Sequence, residues 1–209
     1  MIQVKQIITG PIEENCYLIY NDQHILIVDP GNDAETIKKE IESLSLNVAA
    51  ILITHAHYDH IGALEEIREF YHVPVYISPI EQSWLSDPEL NLSGLMRHND
   101  IPDVRCQPAE FEFENYQSYT LGDMTFKVVP TPGHSPGSLS FIFDDFVITG
   151  DALFSGSIGR TDLPFGSSED LLNAVKNELF TLPDEFRAYP GHREPTTIGK
   201  EKRTNPFFN

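Results

Sequence analysis

The chain contains few cysteines and few basic residues. Only two of its 209 residues are cysteine, Cys16 and Cys106. Their spacing matches neither a disulfide framework nor a Cys-x-x-Cys metal motif, and we expect one core cysteine and one surface cysteine. The chain has 14 Lys and Arg against 32 Asp and Glu, which gives a net charge of −18. This balance disfavours nucleic acid and anionic membrane as partners, because both require a basic surface.

Long apolar runs and targeting signals are also lacking. No apolar stretch approaches the roughly 20 residues that cross a membrane, and the N-terminus opens with a strand pattern instead of a signal peptide. We therefore predict a cytoplasmic protein. The hydrophobic share of 40% and the charged share of 22% are typical of a globular protein with one domain over residues 1–209. The oligomeric state stays open.

Short strands and amphipathic helices alternate along the chain. Early strands are predicted over residues 3–9, 16–20 and 25–29. Asp33 is the predicted cap of the first helix, and Ser167 or Ser168 that of a later one. A hairpin turn is predicted at Gly122-Asp123, and residues 79–110 are interpreted as a helix-and-loop excursion. Two batches of strands, each followed by helices, predict an α/β (α+β) fold in which two sheets pack face to face with helices outside.

One short segment concentrates residue types that bind metals. His55, His57, Asp59 and His60 lie within six positions, directly after the continuously apolar run 49–53. Such a run is typical of a strand buried on both faces, so the segment is expected at the sheet edge where α/β proteins build their sites. Buried polar groups of this kind are paired or bound to a metal. Packing alone does not explain the segment.

Three later residues repeat the same context. His134, Asp151 and His192 each follow an apolar strand and lie next to a glycine. Taken singly, each is more simply a loop or turn residue, but the recurrence favours metal binding. An aspartate can bridge two cations about 3.5–4 Å apart. Nitrogen and oxygen ligands without thiolate fit two divalent metal ions, with zinc favoured and iron or manganese as alternatives.

The remaining histidines lack this context. We predict that they are surface or loop residues: His24, His72 and His98.

These motifs resemble those of the metallo-β-lactamase superfamily. Its His-x-His-x-Asp-His signature is present over 55–60, and the motifs over 131–138, 149–151 and 189–192 are similar to those of the glyoxalase II branch. The resemblance implies a four-layer αββα sandwich, the metallo-β-lactamase fold. It also implies a first cation on His55, His57 and His134, a second on Asp59, His60 and His192, and Asp151 between them.

The resemblance implies roles for two further residues. In this superfamily the aspartate at Asp29 braces a ligand histidine, although an Asp-Pro-Gly turn is the simpler interpretation. Arg160 and Asp162 occupy positions where glyoxalase II enzymes have a lysine and a tyrosine that contact the thiol carrier. The sequence up to Asn209 shows no counterpart of the helical extension of those enzymes, so it resembles a short form. We predict that Arg160 binds the carrier part of the substrate, with a structural ion pair to Asp162 as the alternative.

Two reaction classes fit this ligand set. The first is hydrolysis of a 2-hydroxyacyl thioester such as S-lactoylglutathione by a metal-bound hydroxide that Asp59 orients. The second is a persulfide dioxygenase with one non-haem iron, because two histidines and one carboxylate suffice for that chemistry. Lactone and β-lactam hydrolysis are less favoured, the latter because β-lactamases lack a bridging aspartate at the position of Asp151. The predicted partner is therefore a small-molecule thioester.

Overall fold

The computed structural model describes residues 1–94 and 101–209. These residues form two compact units. The first unit comprises Met1–Phe113 and Thr120–Met124, and the second comprises Glu114–Tyr119 and Thr125–Asn209. The single domain expected over 1–209 stays a prediction.

The first unit is built on a six-stranded sheet. Its strands are β1 (Gln3–Thr9), β2 (Glu14–Tyr20), β3 (His24–Val28), β4 (Asn47–Leu52), β5 (Val75–Ile77) and β6 (Phe111–Glu112). Its helices are α1 (Ala34–Leu44), α2 (Tyr58–Ile61), α3 (Leu64–Tyr71) and a 3-10 helix (Pro79–Ser86). The strands follow the order β1-β2-β3-β4-β5-β6. Pairing is antiparallel from β1 to β3 and parallel from β3 to β6.

Strand β4 explains the apolar run that precedes the predicted ligands. It lies between its parallel neighbours β3 and β5, and Ile51, Leu52 and Ile53 are fully buried. A strand with both faces covered needs apolar residues at every position. The chain changes to polar residues at Thr54, where it leaves the sheet. The ligand segment therefore starts at the carboxyl end of a central parallel strand, as predicted.

The second sheet also has six strands. They are β7 (Ser118–Leu121), β8 (Met124–Pro130), β9 (Leu139–Ile142), β10 (Phe146–Gly150), β13 (Arg187–Pro190) and β14 (Thr196–Thr197), and a separate short pair is β11 (Leu153–Phe154) and β12 (Ser157–Ile158). The helices of this half are α4 (Ser168–Ala174), which continues as a π-helix (Val175–Leu179), and α5 (Ile198–Thr204). The order is β14-β13-β10-β9-β8-β7, and the β10–β13 pair is parallel.

Several local predictions are confirmed. Gly122 and Asp123, both with positive φ, connect β7 to β8 as the predicted turn. The hydroxyl of Ser167 accepts a hydrogen bond from Asp170 N (3.2 Å) and caps α4. The interpretation of residues 79–110 is supported by the 3-10 helix, while part of that stretch, including His98, lies outside the described residues. Within the described ranges, no helix is both long and apolar enough to cross a lipid bilayer.

Two local predictions are wrong. Asp33 lies at the N-cap position of α1, but its side chain does not supply the predicted cap, because its carboxylate accepts a hydrogen bond from Gly10 N instead (2.8 Å). Cys106 is not a surface residue. Its side chain is buried and its thiol donates to the carbonyl of Ile61, and this burial raises the pKa of Cys106 to about 12. Cys16 is fully buried, as expected.

Candidate metal centre

Three neighbouring parallel strands bring polar groups to one edge of the first sheet. Asp29 follows β3, the ligand segment follows β4, and the 3-10 helix follows β5. These groups converge because the carboxyl ends of parallel strands lie at the same edge. The four predicted ligands of this segment are all buried: His55, His57, Asp59 and His60.

The histidines of this segment form a compact cluster. The ring centroid of His55 lies 4.7 Å from that of His57 and 4.1 Å from that of His60. The distance between Asp59 Oδ2 and His60 Nε2 is 3.4 Å. Two ligand atoms that are each about 2.1 Å from a tetrahedral cation lie about 3.4 Å apart. Asp59 and His60 therefore have the separation expected of two ligands to one cation.

The carboxylate of Asp29 organises two of these histidines. Its Oδ2 accepts hydrogen bonds from His60 Nδ1 (2.9 Å) and from the Thr54 hydroxyl (2.6 Å), and its Oδ1 accepts from Thr54 N (2.8 Å). The Thr54 hydroxyl gives its one proton to Asp29, so it must accept from His55 Nδ1, which lies 3.1 Å away. In both neutral histidines the proton is thus on Nδ1. In this tautomer Nε2 is the nitrogen that carries the lone pair, as metal ligation requires.

Glu14 lies near Nδ1 of His60 but does not replace Asp29 as its hydrogen-bond acceptor. Thr9 donates a hydrogen bond to Glu14 Oε2 (2.6 Å), and Glu14 Oε1 is 3.8 Å from His60 Nδ1. Burial raises the pKa of Glu14 well above its ordinary value. Because Nδ1 of His60 already donates to Asp29, this side of the ring is not available to a cation. We therefore expect metal binding at the Nε2 side only.

The other three predicted ligands lie in the second unit. His134 and Asp151 are buried, while His192 is partly exposed. His134 Nδ1 donates to the carbonyl of Arg160 (2.8 Å), so the lone pair of this imidazole is on Nε2. Asp151 Oδ2 lies 3.4 Å from His134 Nε2 and 3.7 Å from His192 Nε2. One carboxylate oxygen thus faces a nitrogen of each histidine.

The chemistry of this donor set fits divalent transition metals. Neutral imidazoles whose Nδ1 is held by a carboxylate, hydroxyl or carbonyl are typical of metal ligands, because such partners fix the ring orientation. The remaining donors are carboxylate oxygens, and no thiolate is among the predicted ligands. The set is therefore suited to zinc, iron or manganese.

The side chain of Arg160 pairs with a neighbour. It makes two hydrogen bonds to the carboxylate of Asp162 (2.7 and 2.6 Å), and its side chain is 56% exposed. The structural ion pair considered as the alternative is thus present. Binding of the carrier by Arg160 stays a prediction.

Residues outside the motifs also support the ligand segment. Glu81 is fully buried and accepts a hydrogen bond from Ala56 N (2.6 Å). The ring of Trp84 stacks on that of His57, with 6.0 Å between centroids. The sequence did not indicate that either residue contacts the ligand segment. The one pattern that could have drawn attention to them is an acidic residue three positions before the single tryptophan. Of the other histidines, His72 is exposed and His24 is half-buried beside Asp123.

Comparison with known proteins identifies the family. The family model described as the metallo-beta-lactamase superfamily matches residues 9–192, a span that includes every predicted ligand. The chain belongs to this superfamily. Its metallo-β-lactamase fold, predicted from the sequence as an αββα sandwich, is confirmed. The family and the histidine–aspartate clusters together indicate an enzyme of the metallo-hydrolase type that uses divalent metal ions.

Two curated relatives extend over nearly the whole chain. The chain is 51% identical over 199 residues to "Probable metallo-hydrolase M6_Spy0554" of Streptococcus pyogenes, covering 94% of this chain and 86% of that protein. It is 35% identical over 201 residues to "Hydroxyacylglutathione hydrolase GloC" of Haemophilus influenzae, covering 94% and 93%. Both names describe hydrolases.

Two solved structures share the fold over the full length. The structure titled BLEG-1 B3 metallo-beta-lactamase has a TM-score of 0.95 at 42% identity, and the match covers 99% of this chain and 100% of that chain. TTHA1623, solved in a di-iron-bound form, has a TM-score of 0.85 at 36% identity and coverage of 97% and 99%. Iron thus occupies the second of these relatives.

Proposed function

We propose that this protein is a dinuclear metal-dependent hydrolase of 2-hydroxyacyl thioesters such as S-lactoylglutathione. The observation that carries the dinuclear part is Asp151, whose Oδ2 faces both His134 Nε2 and His192 Nε2. A carboxylate oxygen in this position suits a bridge between two cations. The hydroxyacylglutathione hydrolase among the relatives supports the thioester as the substrate class and a place in the glyoxalase II-like branch.

The proposed ligand sets follow the sequence motif. His55, His57 and His134 would hold one cation, Asp59, His60 and His192 would hold the other, and Asp151 would be shared by both. Zinc is the proposed metal, because a nitrogen-rich set of buried ligands without thiolate suits it. Iron is the alternative supported by the di-iron relative.

The residues of the chain then have separate tasks in the reaction. When bound, divalent cations supply Lewis-acid activation of water and of the carbonyl near neutral pH. Asp59 is assigned the orientation of the attacking water in addition to metal binding. Asp29 holds His55, through Thr54, and His60 in the tautomer that ligation requires. A thiolate leaves readily from a thioester, so the chemistry requires little help from a general acid.

Metal content and a thioester assay test this proposal together. We expect about two transition-metal equivalents per chain, with fewer in Asp151→Ala, in which the bridge is lost. His55→Ala should lose both metal and hydrolysis of S-lactoylglutathione. A wild-type protein that binds one equivalent in excess metal contradicts the dinuclear proposal. Near-normal turnover by His55→Ala contradicts the mechanism.

Two further substrates distinguish the competing reactions. The match to a structure titled as a B3 metallo-beta-lactamase favours β-lactam hydrolysis as a second candidate, so a chromogenic cephalosporin belongs in the same assay. Oxygen uptake with a glutathione persulfide measures the dioxygenase reaction, which requires iron and no second cation. Whichever substrate gives the highest kcat/KM at equal metal loading identifies the reaction class.

A further inference from the structure

The 3-10 helix lies directly behind the metal-ligand segment of the first unit. It follows β5, and Ser78 caps it by accepting a hydrogen bond from Ile80 N (3.3 Å). In a 3-10 helix, residues three positions apart lie one above the other on the same face. Glu81 and Trp84 are three positions apart. One face of this helix therefore carries both a carboxylate and an indole.

That face contacts the His-Ala-His segment at two points. Glu81 Oε2 accepts a hydrogen bond from the backbone N–H of Ala56, the residue between the two ligand histidines, at 2.6 Å. Trp84 stacks on the second of these histidines, His57, with an angle of 27° between the ring planes. Glu81 is fully buried and Trp84 is 6% exposed. A buried hydrogen bond of this length restrains the position of the donor.

We propose that Glu81 and Trp84 are positioning residues that fix His55 and His57 for metal binding. Two histidines separated by one residue bind the same cation only while the backbone between them keeps both rings on one side. A rotation of the peptide at Ala56 moves both rings at once, and Glu81 holds that peptide. Trp84 restricts the ring of His57. This inference rests on the proposed metal centre and adds residues outside its motifs.

Trp84 provides a built-in signal for the test, because it is the single tryptophan of the chain. Metal-free protein is titrated with Zn²⁺ or Co²⁺ while tryptophan fluorescence is recorded, and the affinity is measured by competition with a chelator. Glu81→Leu should bind metal about 10–100-fold more weakly than wild type, as expected when a partner that orients a ligand is lost. Glu81→Gln should remain within about threefold of wild type, because its amide oxygen still accepts from Ala56 N. Exposed Glu69 supplies the control, Glu69→Gln, with wild-type affinity.

The outcomes separate this inference from the proposed function. A wild-type chain that binds no metal contradicts the proposed function itself. If wild type binds two equivalents but Glu81→Leu matches its affinity, or if Glu81→Gln loses as much as Glu81→Leu, the positioning role is rejected. Should Glu81→Leu fail to fold, Trp84→Leu and Trp84→Phe decide by the same chelator competition. Weaker binding by the leucine variant with rescue by phenylalanine supports the proposal, and wild-type affinity of the leucine variant overturns it.

Discussion

At the scale of single residues, the site depends on how protons are distributed among its histidines. Asp29 receives hydrogen bonds from three donors, two from Thr54 and one from His60. Through the Thr54 hydroxyl it also sets the tautomer of His55. One buried carboxylate thus orients two of the proposed metal ligands. Its backbone has a φ of 49°, a left-handed conformation that aspartate and asparagine tolerate better than most residues.

Asp29→Asn should weaken metal binding by about 10–100-fold with little backbone strain. Asparagine suits the left-handed conformation, but it has one acceptor oxygen and an NH2 group that only donates, so it cannot accept all three hydrogen bonds from Thr54 N, the Thr54 hydroxyl and His60 Nδ1. The metal dissociation constant, measured by chelator competition, checks this prediction. Asp33→Asn is the matched control, because Asp33 has a φ of 53° and its carboxylate accepts from Gly10 N. Equal affinities of the two variants would show that Asp29 does not orient the ligands.

At the scale of elements, the close packing of α4 requires a glycine at position 133, directly before His134. Gly133 has a φ of 132°, and its carbonyl accepts a hydrogen bond from Ser167 N (2.8 Å). A Cβ atom at Gly133 would lie 2.4 Å from the backbone nitrogen of Leu171 in α4. The start of α4 is thus packed directly on the Pro-Gly-His motif. The motif keeps glycine there because no side chain fits.

Gly133→Ala should lower both the free energy of unfolding and the metal content. The clash is with backbone atoms of α4, so either the helix or the His134 loop must move. Gly156→Ala is the control, because Gly156 has a φ of 66° with no atom within 4 Å of the added Cβ and should cost only about 1–2 kcal/mol of backbone strain. Thermal unfolding and metal analysis measure both effects. If Gly133→Ala has the same melting temperature and metal content as Gly156→Ala, the packing of α4 on Gly133 does not matter and the prediction is wrong.

The elements that the sequence predicted correctly are those whose signals are local. An apolar run followed by His-x-His-x-Asp-His indicates a buried strand and the loop after it, and the structure has both. Glu81 and Trp84 were missed because their contacts to Ala56 and His57 arise from the adjacency of β4 and β5, which periodicity does not reveal. Asp33 was mispredicted for a related reason, since its carboxylate binds a loop that is distant in sequence.

At the scale of the whole molecule, the net charge of −18 opposes anionic substrates. Thiol carriers with carboxylates approach through a repulsive field, which salt screens over about 10 Å at 0.1 M ionic strength. We therefore expect kcat/KM for S-lactoylglutathione to rise about two- to tenfold between low and moderate salt. The measurement is a salt series of initial rates at constant pH.

An uncharged small thioester is the control for this effect. Its kcat/KM should stay constant across the same salt series, because a neutral substrate experiences no net repulsion. A fall in kcat/KM with salt for the charged substrate alone would instead indicate that basic groups such as Arg160 attract it.

The backbone and the side chain of Arg160 have separate partners. Its carbonyl oxygen holds His134, while its side chain extends into solvent beside Asp162. A mutation at this codon replaces the side chain and leaves the carbonyl where it is. A substitution can therefore change the charge and size of the side chain at position 160 without moving His134, a proposed metal ligand. Insertions or deletions in the same loop would instead displace the side chain and His134 together. At position 160 the side chain of this protein can therefore change while the contact that orients His134 is kept.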